Sequence, residues 1–247
     1  MFDIVVCHGP NDDCLLDYNI KFNSVNVIDR KNIFVVTHDR NLKRDDCIVL
    51  HESVFPFSVE EIKKRTSERR YGWYLQQLIK LYAHCVIPNL TEYYLVIDCD
   101  TIFLKPTSFF QDNIPLYNTG SEHHRPYFEH LLRVHPKLTK QVDDSGICHH
   151  MMFSKKILEE LFQMVEKDNK HSSDNTFWKI MISRIDPNHI EHSGFSEYEL
   201  YFNYIIQFHR DKMKIRKLVW KNSTTLDLDI SEDLNYISCH YHARRRS

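Results

Sequence analysis

The chain has 247 residues and 42% hydrophobic content, enough apolar side chains for one large core. A net charge of −2 excludes a broad basic field for nucleic acid or an acidic membrane, apart from the run Arg244-Arg245-Arg246. No apolar run reaches membrane-spanning length, Met1-Phe2-Asp3-Ile4 does not read as a leader peptide, and the seven scattered cysteines lack a Cys-x-x-Cys pair. The expectation is a cytoplasmic protein of a single domain, with reduced thiols, no membrane span and no nucleic-acid partner.

Asp3 to Cys7 reads as a first strand, with His8-Gly9-Pro10 as the polar break at its carboxyl end. A crossover helix starting near Asp12 or Asp13 leads to a second strand, Asn32 to Asp39, and Asp46 to His51 reads as a third. Strands alternating with helices predict an α/β fold with a mostly parallel central sheet flanked by helices, whose ligands bind outside the carboxyl ends of the strands. Cys7, His8 and Thr37 then fall on the binding rim.

Ser58 to Arg70 is charged enough for a surface helix. In the next helix Leu75, Leu78, Ile79 and Tyr82 fall at i, i+3, i+4 and i+7, one apolar face. Gln77 and Lys80 lie off that stripe and read either as solvated surface or as ligand contacts. This helix leads through Pro88 into Tyr94-Leu95-Val96-Ile97-Asp98-Cys99-Asp100, a buried strand ending in two carboxylates at i and i+2. Two such charges repel each other, and a divalent cation between them is the economical remedy. Arg70 and Lys80, on the helix that flanks them, are candidate diphosphate or sugar contacts.

The helix Tyr71-Gly72-Trp73-Tyr74-Leu75-Gln76-Gln77-Leu78-Ile79-Lys80-Leu81 followed by Leu95-Val96-Ile97-Asp98-Cys99-Asp100-Thr101 resembles the nucleotide-sugar-dependent glycosyltransferases of GT-A fold with a DxD motif. The resemblance implies a GT-A (Rossmann-like) single domain over 1–247, with a nucleotide-binding half at 1–105 and an acceptor-side half at 106–247. It implies Mn2+ or Mg2+ on Asp98 and Asp100, bridging the diphosphate of a nucleotide-sugar, with a UDP-sugar favoured. The acceptor is then a hydroxyl of a glycan, a protein or a small molecule.

Thr107 to Arg133 reads as loop-rich and aromatic, a stretch that could shape the acceptor side of a cleft. Ser145 to Ser154 is an apolar strand interrupted by His149 and His150, which point to opposite faces, so at most one of them faces the site. By the resemblance this segment contacts the donor sugar, and Gly146 lets the backbone approach it. Ser154 caps a helix from Lys155 to Lys167, and Ser196 with Glu199 forms a capping box for a later one. Glu197 in its first turn is either a charge favoured by the helix dipole or, by the resemblance, a catalytic or sugar-binding carboxylate.

Near the end, His240 and His242 follow a short apolar strand. The resemblance implies a third metal ligand from this late position, beside Asp98 and the catalytic Asp100, with His240, nearer the strand, the first choice and His242 the second. Arg244 is either a phosphate contact or part of a basic tail. The leading reading is a metal-dependent glycosyltransferase. The alternatives are a nucleotidyltransferase or metal-dependent phosphohydrolase, against which stands the lack of a Gly-rich phosphate loop, and an inactive sugar-nucleotide-binding protein of the same fold.

Overall fold

The computed structural model describes residues 1–225 and 233–240. In chain order it runs β1 (Phe2–His8), α1 (Leu16–Asn26), β2 (Arg30–Thr37), β3 (Ile48–His51), α2 (Val59–Arg65), α3 (Tyr71–Val86), β4 (Tyr93–Asp98) and β5 (Thr101–Phe103). Next come β6 (Phe110–Gln111), β7 (Ile114–Asn118), α4 (Arg125–Val134), β8 (His150–Ser154), α5 (Lys155–Asp168), α6 (Phe177–Ser183) and α7 (Glu197–Phe208). Three short strands, β9 (Lys214–Arg216), β10 (Trp220–Asn222) and β11 (Tyr236–Ser238), complete the described elements.

The central sheet has the order β3-β2-β1-β4-β8. β1 lies in its middle, parallel to β2 and β4, with Val5 opposite Phe34 on one side and Val96 on the other. All seven residues of β1 are buried, as expected of a strand covered on both faces. β8 runs antiparallel to β4, placing His150 opposite Ile97. The expected mostly parallel sheet is therefore present with one antiparallel edge, and two smaller three-stranded sheets accompany it. One apolar cluster draws side chains from β1, α3, β4, β8, α5 and α7 alike. No helix among the described residues is long and apolar enough to cross a membrane.

Several elements differ from the sequence reading. The surface helix expected over 58–70 stops at Arg65, because Thr66 leaves helical geometry at φ −121°, ψ −103°, and α3 starts afresh at Tyr71. Its start is as foreseen, with Ser58 and Glu61 forming a reciprocal capping box. The stretch 107–133, expected to be loop-rich, holds more regular structure than that: the β6–β7 hairpin and α4, whose Tyr127, His130, Leu131 and Val134 make one buried face at i, i+3, i+4 and i+7. The strand expected over 145–154 is confined to β8, because His149 takes the left-handed conformation, φ 62°, and breaks the extended run.

The second small sheet matters most for the site. β11 lies antiparallel to β5, pairing Ser238 with Thr101 and Tyr236 with Phe103. The chain continues past β11 with the Cys239 amide donating to the Asp100 carbonyl at 2.8 Å. This pairing brings His240, 140 residues away in sequence, to the side of Asp100.

Candidate active site

A cavity of about 860 Å³ opens outside the carboxyl ends of β1, β2 and β4, and its lining includes Cys7, His8, Arg70, Gln77, Lys80, Asp98, Asp100, His149, Glu197 and His240. Most of the sequence-derived candidates therefore gather in one place.

The floor is an ionic network. Lys80 Nζ donates to Asp98 Oδ1 at 2.5 Å and to Glu197 Oε1 at 2.6 Å, and lies 3.3 Å from the Tyr198 hydroxyl. That hydroxyl donates in turn to Asp98 Oδ1 at 2.7 Å. Burial disfavours the Lys80 ammonium, but the charges of Asp98 and Glu197 outweigh it and hold its pKa above the usual lysine value. Burial pushes Asp98 up, yet Lys80 and the hydrogen bond with His149 outweigh it, so its carboxyl lies well below the usual range. Glu197 goes the other way: with its side chain only 4% exposed, burial exceeds the pull of Lys80 and raises its pKa. Both carboxylates share one ammonium, and Asp98 has the additional donors.

The expectation for Lys80 needs correcting. It is neither solvated surface nor a free diphosphate contact, because its ammonium is already engaged by two carboxylates and a phenol. Part of the positive charge anticipated at the acidic strand comes from the protein itself.

Above this floor, acids and imidazoles alternate. His149 Nδ1 lies 3.5 Å from Asp98 Oδ2, His149 Nε2 lies 3.3 Å from His240 Nε2, and His240 Nδ1 lies 3.0 Å from Asp100 Oδ2. Asn222 Oδ1 also reaches His240 Nε2 at 3.0 Å. Burial disfavours the His240 imidazolium, but the hydrogen bond and charge of Asp100 prevail and raise its pKa. Among the described residues no three His, Cys, Asp or Glu side chains stand as a preassembled metal cage; the groups engage one another pairwise. Two carboxylates and an imidazole are nonetheless donors suited in kind to Mn2+ or Mg2+, and Asp98 keeps Oδ2 clear of Lys80 and Tyr198.

Local backbone explains the placement. The Asp98 amide donates to the His149 carbonyl at 2.9 Å, so the left-handed turn at His149 is tied to the acidic strand. On the other side α1 presents Asn19, Asn23 and Asn26, all buried. Asn19 Nδ2 lies within hydrogen-bond reach of the carbonyls of Asp98, Cys99 and Thr101, at 3.1, 3.1 and 2.9 Å. Asn23 accepts from the Phe103 amide and donates to the Thr101 carbonyl, and Asn26 donates to the Phe103 carbonyl. A ladder of amides thus holds the loop between β4 and β5, whose carbonyls would otherwise be buried unsatisfied. Sequence reasoning missed it; the signal was three asparagines at i, i+4 and i+7 on one helix face.

The remaining candidates fall on both sides of the cavity wall. Cys7 lines the cavity, but burial raises its thiol to about 12, which removes it as a nucleophile. His8 accepts or donates at Nδ1 to Thr37 Oγ1, 3.0 Å away, and its Nε2 lies 3.0 Å from Asp13 Oδ1. Thr37 itself is buried beneath the rim and orients His8 rather than facing a ligand. Gln77 accepts from the Glu197 amide at 3.0 Å, which aligns the start of α7. Arg70 lines the cavity mouth, although its guanidinium is held by the His192 carbonyl and the Ser193 hydroxyl and lies over the Trp73 ring.

His150, the first residue of β8, is absent from the cavity lining, whereas His149 reaches the cavity from its left-handed turn just before the strand. His150 packs among Phe103, Phe109 and Tyr236, and burial lowers its pKa to about 3, so it is a core residue and not a ligand contact. Glu199 is corrected too. Ser196 caps α7 by accepting from the Glu199 amide, but the Glu199 carboxylate turns to Ser145 Oγ at 2.5 Å, the Gly146 amide and Asn203. Gly146 serves packing rather than a ligand, since a Cβ there would lie 2.5 Å from Cβ of Phe202. His242 and Arg244 lie outside the described residues.

Curated proteins of known function offer no match. Among solved structures, mouse xyloside xylosyltransferase 1 in its apo form is similar over 99% of each chain, at 11% identity and a TM-score of 0.46. A likeness that distant says nothing about the chemistry of this chain. A family model described as "Family of unknown function (DUF6492)" matches residues 20–245, a stretch that includes the acidic strand and His240, and the chain belongs to the DUF6492 family.

Proposed function

We propose that the protein is a glycosyltransferase that moves a sugar from a sugar nucleoside diphosphate to a hydroxyl of a glycan, protein or small-molecule acceptor. One observation carries the reading: Asp98, Asp100 and His240 meet Lys80 and Glu197 in a single cavity at the carboxyl ends of parallel strands, where open α/β sheets bind their ligands. Asp98, Asp100 and His240 would hold Mn2+ or Mg2+, which when bound supplies Lewis-acid stabilisation to a diphosphate leaving group.

The chain's own residues divide the remaining work. Lys80 holds Asp98 in one orientation and keeps the carboxylate ionised. Glu197 gives Oε1 to Lys80 at 2.6 Å, and its part is to position that ammonium rather than to collect a proton from the acceptor. The acceptor side is the cavity mouth, bordered by Trp73, Tyr127 and Glu122.

The test is a screen of sugar nucleoside diphosphates for cation-dependent hydrolysis and for thermal stabilisation. Stabilisation that needs nucleotide and Mn2+ together, and that disappears in Asp100→Asn and His240→Ala, supports the reading. Unchanged Mn2+-dependent nucleotide affinity in both variants, or turnover of simple phosphate esters instead, refutes it.

A further inference from the structure

The cavity extends along the rim in the order of the sheet. Strands β3, β2, β1 and β4 lie side by side, and with neighbours about 4.8 Å apart the end of β3 is about 14 Å from the end of β4. Asp98 and Asp100 occupy the β4 end. The lining contributed by β2, the end of β3 and the helices beside them includes Val36, Val59 and Leu75, with His38 and Glu52 among its polar members. Glu52 is the residue directly after β3.

Glu52 is the anomaly of this wall. It is partly buried, and burial raises its pKa against the opposing charges of His51 and His38. Yet among the described residues it makes no hydrogen bond or ion pair with another side chain. Its oxygens are not among the buried unsatisfied atoms of the structure, so they stay open to the cavity, where a ligand can bring the donors that the protein does not supply.

The separation of this slot from Asp98 and Asp100 matches the reach of a nucleoside diphosphate whose phosphates lie at the acids and whose base lies between Val36 and Leu75. Among the common bases only guanine presents two adjacent N–H donors, at N1 and N2, spaced for the two oxygens of one carboxylate. Uracil has a single N3–H flanked by carbonyls. Adenine and cytosine each set a ring-nitrogen lone pair beside the amino group. All three aim an acceptor at the second carboxylate oxygen. We propose that the donor's base is guanine, read in this slot by a two-pronged hydrogen bond from its N1–H and N2–H to Glu52. The inference rests on the proposed nucleotide-sugar chemistry and departs from the uridine donor that the sequence resemblance implies.

Calorimetry of the full chain with GDP, UDP, ADP and CDP, each with MnCl2, tests it. GDP is expected to bind about tenfold more tightly than any of the others, a margin typical of one satisfied against one clashing edge. In Glu52→Gln the GDP affinity falls by about tenfold and that for xanthosine diphosphate rises, because the amide pairs with the N1–H and C2 carbonyl of xanthine. UDP, ADP or CDP binding as tightly as GDP overturns the guanine assignment alone, and so does an unchanged GDP affinity in Glu52→Gln. Failure of all four to bind overturns the nucleotide-donor reading with it. The wild-type ranking needs no variant, so it decides the matter even if Glu52→Gln folds poorly.

Discussion

Lys80 shows how a single buried cation sets the properties of a site. Removing it leaves Asp98 and Glu197 without their shared donor, so Lys80→Met is expected to lose about 3 to 5 kcal/mol of stability, measured by urea denaturation at neutral pH. A loss under about 1 kcal/mol would mean that the network is solvated in solution. The two acids of the motif should also part company. Asp98 faces Lys80, Tyr198 and His149, whereas Asp100 faces His240. Asp98→Asn should therefore lose about 1.5 to 3 kcal/mol, as for a hydrogen bond to a charged group, and Asp100→Asn about 1 kcal/mol or less, although both should abolish Mn2+-dependent nucleotide binding. Equal stabilities of the two variants would contradict the assignment of Lys80 to Asp98.

At the level of elements, α1 and α7 act on the site without lining it alone. Asn19→Ala deprives the Asp98 and Cys99 carbonyls of their side-chain donor and leaves the Thr101 carbonyl with Asn23 alone. We expect about 1 to 3 kcal/mol of destabilisation together with weaker cation-dependent nucleotide binding, the second readout separating a positioning role from a merely structural one. Gly146→Ala should lose about 1 to 3 kcal/mol by forcing Phe202 aside, with no special effect on nucleotide affinity. What was legible in the sequence follows the same division. The central strands, α3, α5 and the cap at Ser196 announce themselves through apolar periodicity and capping chemistry, which are local. Asp98, Asp100 and His240 were recognisable as residue types. The partnership of Lys80 was not, because it joins α3 to α7 across 117 residues. Glu199 misled for the opposite reason: a local capping pattern was complete in sequence, but burial offered its carboxylate the stronger donors of Ser145 and Asn203.

Across the whole molecule, buried histidines couple stability to pH. His130 stacks on Phe195 with Nε2 2.8 Å from the Met181 carbonyl, and burial lowers its pKa from 6.5 to about 4 against the opposing effect of that hydrogen bond. Between those values the unfolded chain binds a proton that the folded chain refuses. Its contribution is thus complete above pH 6.5 and is lost as pH falls towards 4, about 3 kcal/mol in all. His150 acts in the same direction down to about pH 3. Denaturation midpoints measured from about pH 7 to about pH 4 should decline in the wild type and decline less in His130→Phe, whose ring keeps the packing but cannot titrate. Parallel curves for the two proteins would show that His130 is solvated.

The amides of α1 also have a temporal consequence. Asn19 and Thr101 are 82 residues apart in the chain, and Thr101 and Ser238 a further 137. The acidic loop is therefore shaped by contacts of high sequence separation, whose loop-closure entropy must be overcome before they form. A chain emerging from the ribosome can assemble β1, α1 and β2 early, yet it cannot complete the wall at Asp100 until residues 236–240 have been synthesised. Binding competence should then appear in refolding as a late event, after the helical signal has recovered, with protection of the Leu104 and Cys239 amides, which donate to the Asn235 and Asp100 carbonyls, from hydrogen exchange arriving together with it.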